Sequence, residues 1–151
     1  MAVLWPESTL VLLDAGARRA DFLRRAVERC DLEARVSVVH ERAEVAGRDA
    51  QLRGQFDGVV VRSFGPPGVV AECAAPFLRV EGCVIVSEPP GDSDEPQDGT
   101  GRWPAEGLAQ AGLVPVEFVR ESYGYQVLRQ AEPCPDRLPR RNGVPAKHPL
   151  F

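Results

Sequence analysis

No apolar run in this chain approaches the roughly 20 residues needed to cross a membrane as a helix. The N-terminus, Met1 to Pro6, has no positively charged region and too short an apolar stretch for a secretory signal. The four cysteines, Cys30, Cys73, Cys83 and Cys134, form no CxxC pair, and only His40 and His148 could assist them, so a metal site is not expected. They read as buried free thiols of a cytoplasmic protein. No acid lies beyond residue 136, there is no internal repeat, and no Ser/His/Asp triad or paired-carboxylate arrangement stands out. Most telling, no glycine-rich loop precedes the first strand, although the acid that ends this strand calls for one.

What is present is enough for one domain with a core: 151 residues, 44% of them hydrophobic, with a net charge of −4. The charge is unevenly placed. The chain has 18 basic residues and 22 acids; four basic residues, Arg137, Arg140, Arg141 and Lys147, come after the last acid, so the body carries −8 and the tail +4. The expected organisation is therefore a body over residues 1–136 and a basic, proline-rich tail over 137–151. Such a tail either contacts nucleic acid or is only solvated.

Thr9 to Asp14 is continuously apolar and ends in a carboxylate, the pattern of a buried parallel strand. A helix is expected from Ala17 to Cys30, with Ala20, Leu23, Ala26, Val27 and Cys30 on one face and Arg18, Arg24, Arg25 and Glu28 largely on the other. Val36–His40, Gly58–Arg62 and Gly82–Val86 read as further strands. Residues 41–55 have helical character, and Pro66-Pro67-Gly68 opens a helix to Ala75. Residues 88–102 are rich in Gly, Pro, Asp and Ser and hold five acids, Glu88, Asp92, Asp94, Glu95 and Asp98; they read as a mobile acidic loop. A short helix over Ala105–Ala111 and two strands, Leu113–Glu121 and Tyr125–Ala131, joined by a tight turn, complete the body.

Alternating strands and helices imply a mostly parallel α/β sheet, here closed by an antiparallel hairpin. That is the later part of a class I, Rossmann-like methyltransferase sheet with its first β-α unit missing. Open sheets of this type bind ligands beyond the carboxyl ends of their strands. Three candidates fall there: Asp14 after the first strand, the Glu41-Arg-Ala-Glu44 run after the second, and Arg62-Ser63 after the third. Each also has a plainer reading: Asp14 as a helix N-cap, Glu44 as a solvated helix residue, Arg62 as a surface cation.

Together these residues resemble one family, the small-subunit ribosomal RNA guanine-N7 methyltransferases called RsmG or GidB. The resemblance runs from Leu4-Trp-Pro6 to the last residue. It is carried by Leu12-Leu-Asp14 with Arg18-Arg19 and Phe22-Leu23, by His40-Glu-Arg-Ala-Glu44, by Phe56-Asp57 through Arg62-Ser63 with Glu72 and Pro76-Phe-Leu78, and by the tail from Pro139 to Leu150. It implies methyl transfer from S-adenosylmethionine to guanine N7 of 16S rRNA. Asp14 would approach the cofactor's ribose, Ala43 and Glu44 its adenine, and Arg62 the reacting groups. Arg140, Arg141 and Lys147 are candidates for RNA phosphate contacts by their charge.

The chain departs from that family in two places. The glycine-rich motif and the N-terminal helices are absent, and where the family carries a Lys-Gly pair this chain has Ser87 to Gly91 and then the acidic insert. The missing strand belongs at the centre of the sheet, so three readings stay open. One is a truncated reading frame. Another is a non-catalytic relative that closes the gap, or self-associates through exposed strands. The third is an RNA-binding or interaction module that uses the tail.

Overall fold

A computed structural model describes residues 1–89 and 101–151, and the chain divides into two compact units, Met1–Ala43 and Glu44–Phe151. Asp92, Asp94, Glu95 and Asp98 of the acidic loop lie outside the described residues.

In the first unit, β1 (Leu10–Asp14) pairs in parallel with β2 (Val36–His40), and α1 (Ala17–Arg29) links them. The strand register sets Asp14 opposite His40, so both strands end together. α1 forms because apolar residues recur every three to four positions. Ala20 and Val27 are buried and Leu23 and Ala26 half-buried. Cys30, expected on that buried face, is exposed, because α1 ends at Arg29 and Cys30 lies past the last helical turn. β1 is half-buried along its whole length rather than buried: among the described residues it pairs with β2 alone. Arg35 ties down the preceding segment by donating to the carbonyls of Ala2, Trp5 and Ser8.

The second unit holds a four-stranded sheet in the order β3-β4-β6-β5, formed by β3 (Phe56–Val61), β4 (Leu78–Ser87), β5 (Leu113–Arg120) and β6 (Gly124–Gln130). β3 and β4 are parallel and β4–β6 antiparallel; β5–β6 is antiparallel, as the tight connection over residues 121–123 requires. The expected single sheet thus takes the form of two sheets. β1 and β3 are each paired on one side only among the described residues, as a sheet without its central strand would leave them.

The helical character read over residues 41–55 reduces to α2 (Ala43–Ala46), with turns after it at Asp49 and Arg53. α3 (Pro67–Ala74) is buried from Gly68 to Ala74 and continues into a 3-10 turn, Ala75–Phe77. A helix apolar all round belongs inside a core. This one packs with Leu78, Val84, Val86, Trp103, Leu108, Leu113, Leu128 and Leu138. α4 (Ala105–Ala109) stops two residues short of the expected Ala111, and Gly112, with a φ of +76°, turns the chain into β5. The tail contributes Leu138, fully buried, a cis peptide bond before Pro139, and a short helix α5 (Val144–Lys147).

Candidate functional site

Asp14 occupies the carboxyl end of β1. Its Oδ1 accepts the Gly16 N–H at 2.7 Å, and both its oxygens accept Arg19 Nε, at 2.9 and 2.8 Å. The Arg19 hydrogen bond, then the Gly16 N–H, holds the carboxyl below its ordinary range, so it is ionised at neutral pH. Gly16 itself is the helix N-cap position, so Asp14 organises the turn into α1 from two residues earlier. His40, opposite it, has Nε2 3.2 Å from the Ala15 carbonyl. β1, β2 and the α1 start thus bring one carboxylate, one imidazole and one guanidinium to a single strand end. The sequence alone does not single out Arg19 as Asp14's partner. The available signal is a basic residue in the first turn after an acid that ends a strand.

Ala43 and Glu44 open α2, and the division between the two units falls between them. Glu44 is 5% exposed, and its Oε1 accepts the Gly143 N–H at 3.0 Å. It is a buried acceptor for the tail rather than a solvated helix residue. Arg62 directly follows β3 and is exposed; Ser63 beside it has a positive φ of 50°, and Phe64 is 51% exposed. A β-branched or bulky residue would resist the left-handed conformation that Ser63 adopts.

The three tail cations named as RNA-contact candidates separate. Arg140 is taken up by Glu72, which is fully buried in α3: the Arg140 backbone N–H reaches Oε1 at 2.7 Å, and Nε reaches both oxygens at 2.9 and 3.1 Å. Its Nη2 also donates to the His148 carbonyl. Arg141 and Lys147 are exposed. Two body arginines hold the same segment. Arg53 donates to the carbonyls of Cys134, Pro135 and Leu138, and Arg48 to those of Arg137 and Pro139. Neither is legible as a partner from sequence, since backbone carbonyls leave no residue signature.

The two end residues of the stretch expected to be a mobile acidic loop, Glu88 and Arg102, are instead held in contacts. Glu88, its side chain 7% exposed, accepts from the Trp103 indole N–H at 2.9 Å and pairs with Arg102 at 2.8 Å. No helix among the described residues is long and apolar enough to span a membrane.

A family profile described as GidB, rRNA small subunit methyltransferase G, matches residues 1–112. Ribosomal RNA small subunit methyltransferase G of Deinococcus radiodurans is 35% identical across the whole chain, which covers 60% of that protein. The protein of the same name from Rubrobacter xylanophilus is 32% identical over 99% of the chain and 59% of its own length. The chain therefore spans about three-fifths of the length of these relatives. Among solved structures, the putative methyltransferase yhhF of Escherichia coli aligns with a TM-score of 0.56 at 15% identity, over 83% of this chain and 65% of that one. An O-methyltransferase family protein from Burkholderia thailandensis aligns at 0.60 and 15% identity, over 87% and 46%. These likenesses establish the methyltransferase fold.

Proposed function

Because the chain belongs to the rRNA small subunit methyltransferase G family, we propose that it serves S-adenosylmethionine-dependent methylation of guanine N7 in 16S rRNA, in the cytoplasm. The observation that carries this reading is the match of that family over residues 1–112, which takes in Asp14, Ala43, Glu44 and Arg62.

The residues present suit the nucleoside end of the cofactor. Asp14 is ionised and three of its roughly four lone-pair positions are used, which leaves acceptor capacity on Oδ2 for a ribose hydroxyl. Ala43 and Glu44 are assigned to the adenine, and Arg62 to the reacting groups, where an exposed guanidinium can orient a phosphate or a base edge. The glycine-rich loop that would wrap the methionine end has no counterpart in this sequence. When bound, S-adenosylmethionine supplies the methyl group and, as its sulfonium, the leaving group. Guanine N7 is already nucleophilic, so the protein's task is alignment and electrostatics rather than proton removal. On the tail, Arg141 and Lys147 are assigned to RNA phosphates, and Arg140 to anchoring the segment from which they project.

Titration calorimetry of the 151-residue chain with S-adenosylmethionine tests this. Micromolar binding that Asp14→Asn weakens supports the assignment. No binding by the wild type identifies a chain that does not hold the cofactor by itself. Equilibrium sedimentation adds a second readout, because β1 and β3 are among the strands paired on one side only among the described residues, and copies could associate through such edges.

A further inference from the structure

α1 sets an exposed aromatic ring within a stripe of arginines. Arg18, Phe22, Arg25 and Arg29 are spaced i, i+4, i+7 and i+11, which on a helix of 3.6 residues per turn places them on one face. Phe22 is 62% exposed, and the three arginines are exposed with it. The other charges of α1 are largely used elsewhere: Arg19 is held on Asp14 at 2.8 Å, and Arg24 on Asp21 at 2.7 Å. Among the described residues no ion pair engages Arg18, Arg25 or Arg29; of the two acids within α1, Asp21 is paired with Arg24 and Glu28 is in no ion pair. A shallow open depression lies between Arg18, Asp21, Arg24 and Arg25.

We propose that this face of α1 is a docking surface for single-stranded RNA, with the Phe22 ring stacking on a base and the arginines neutralising flanking phosphates. The proposal rests on the reading that the chain acts on RNA, but not on methyl transfer itself. A solvated helix face gains nothing from a protruding phenyl ring. An apolar protein face covering Phe22 would have to strip water from three guanidiniums without offering them charge. A nucleic-acid strand satisfies both features at once, since every base has a face to stack and every linkage a phosphate to pair. From Arg18 to Arg29 the helix runs about 16 Å, the rise of about five stacked nucleotides, within the site sizes of single-strand-binding surfaces.

The test is fluorescence anisotropy of a labelled 12-nucleotide single-stranded RNA with the full chain, from 50 to 200 mM salt. Arg18→Gln/Arg25→Gln/Arg29→Gln is expected to lower the slope of log affinity against log salt by about 2. Phe22→Ala is expected to weaken binding about 10-fold with the slope unchanged, and Phe22→Tyr to retain binding. The charge-preserving Arg→Lys triple should keep the wild-type slope, which separates lost charge from a disturbed helix. Arg141→Gln/Lys147→Gln serves as the comparison at the tail. If the wild type binds RNA and only the tail variant changes it, the α1 surface is ruled out. If the wild type binds no RNA, the α1 surface and the RNA reading fall together. If Phe22→Ala alters only self-association, the face docks protein and the proposal is overturned. RNA binding through α1 in a chain that transfers no methyl group would leave this inference standing while removing the methyl-transfer reading.

Discussion

Arg140 and Glu72 lie 68 residues apart, yet the guanidinium of one closes on the carboxylate of the other inside the second unit. Glu72 has no exposure at all, whereas the Arg140 side chain keeps 31%. The pair is therefore asymmetric: one partner can be rehydrated if the other is lost, and the other cannot. The basic tail, which from its charge alone either contacts nucleic acid or is only solvated, is fastened to α3 by this contact. Arg48 and Arg53 grip its backbone carbonyls from the turns after α2, and Gly143 donates to Glu44 in α2.

That asymmetry predicts unequal costs. Arg140→Met strands a buried carboxylate and should destabilise the chain by about 3–5 kcal/mol. Glu72→Met leaves a partly exposed guanidinium that water can reach, and should cost less. Joining both substitutions should recover part of the loss, because an apolar pair of similar volume needs no desolvated charge, while the backbone N–H at position 140 still lacks the Glu72 acceptor. Urea unfolding of the four proteins measures this. Equal losses in the two single variants would contradict the asymmetry.

How far the fold can be read from sequence depends on the kind of signal. β2 is legible to the residue, and α1 to within one at its C-terminus, because a continuous apolar run and a 3.6-residue period are local patterns. The hairpin β5–β6 is legible through its short connection. Residues 47–55 are not, since their polar composition suits helix and turn alike, and the carbonyls that Arg53 binds lie 81 to 85 residues away. At the candidate site, the position of Asp14 is legible because a strand ends in an acid, but its bond to Arg19 is not. Glu72 carries a cue of its own: a lone carboxylate in Val69-Val-Ala-Glu-Cys-Ala74, an otherwise apolar helix, has to find a cation. Sequence does not say which one, because the pairing is long-range.

The Asp14 bond gives stability a pH dependence. Its carboxyl is held below the ordinary value of 3.8, first by Arg19 and then by the Gly16 N–H. A carboxyl lowered on folding contributes stability above its unfolded-state value and loses it as pH falls through the folded-state value. Asp14→Asn lacks this contribution at every pH. The difference between wild type and variant in urea midpoint should therefore be steady from pH 7 to about 5 and close as the pH drops below about 4. A difference that widens in acid would reverse the sign and refute the assignment.

The cysteines should separate by reactivity. Cys30 is exposed, Cys83 half-buried and Cys73 buried. Burial pushes the Cys134 thiol up to about 11, so little thiolate forms there at pH 8. A disulfide reagent at pH 8 should modify Cys30 first, Cys83 more slowly, and Cys73 and Cys134 only once the chain is unfolded. Cys30→Ser should abolish the fast phase. Persistence of that phase would assign it to another thiol and contradict the exposure of Cys30.

Glu88 and Trp103 meet just past the end of β4. An indole N–H buried in a core needs an acceptor, and Trp103 is only 2% exposed. Glu88 supplies that acceptor through Oε1, while its Oε2 holds Arg102 and its backbone N–H donates to the Gly124 carbonyl at 2.9 Å. One carboxylate thus joins the end of β4 to the chain entering α4. Glu88→Leu is expected to cost about 1–3 kcal/mol, the penalty for leaving a buried donor unpaired, whereas Glu88→Gln keeps a carbonyl for the indole and loses only the ion pair. Because the protein has just two tryptophans, Trp5→Phe isolates the Trp103 fluorescence. In that background Glu88→Leu should raise acrylamide quenching and shift emission to the red, with Glu88→Gln close to wild type. Equal quenching in all three would mean that packing alone seats the indole, and that the Glu88 contact follows from its position without causing it.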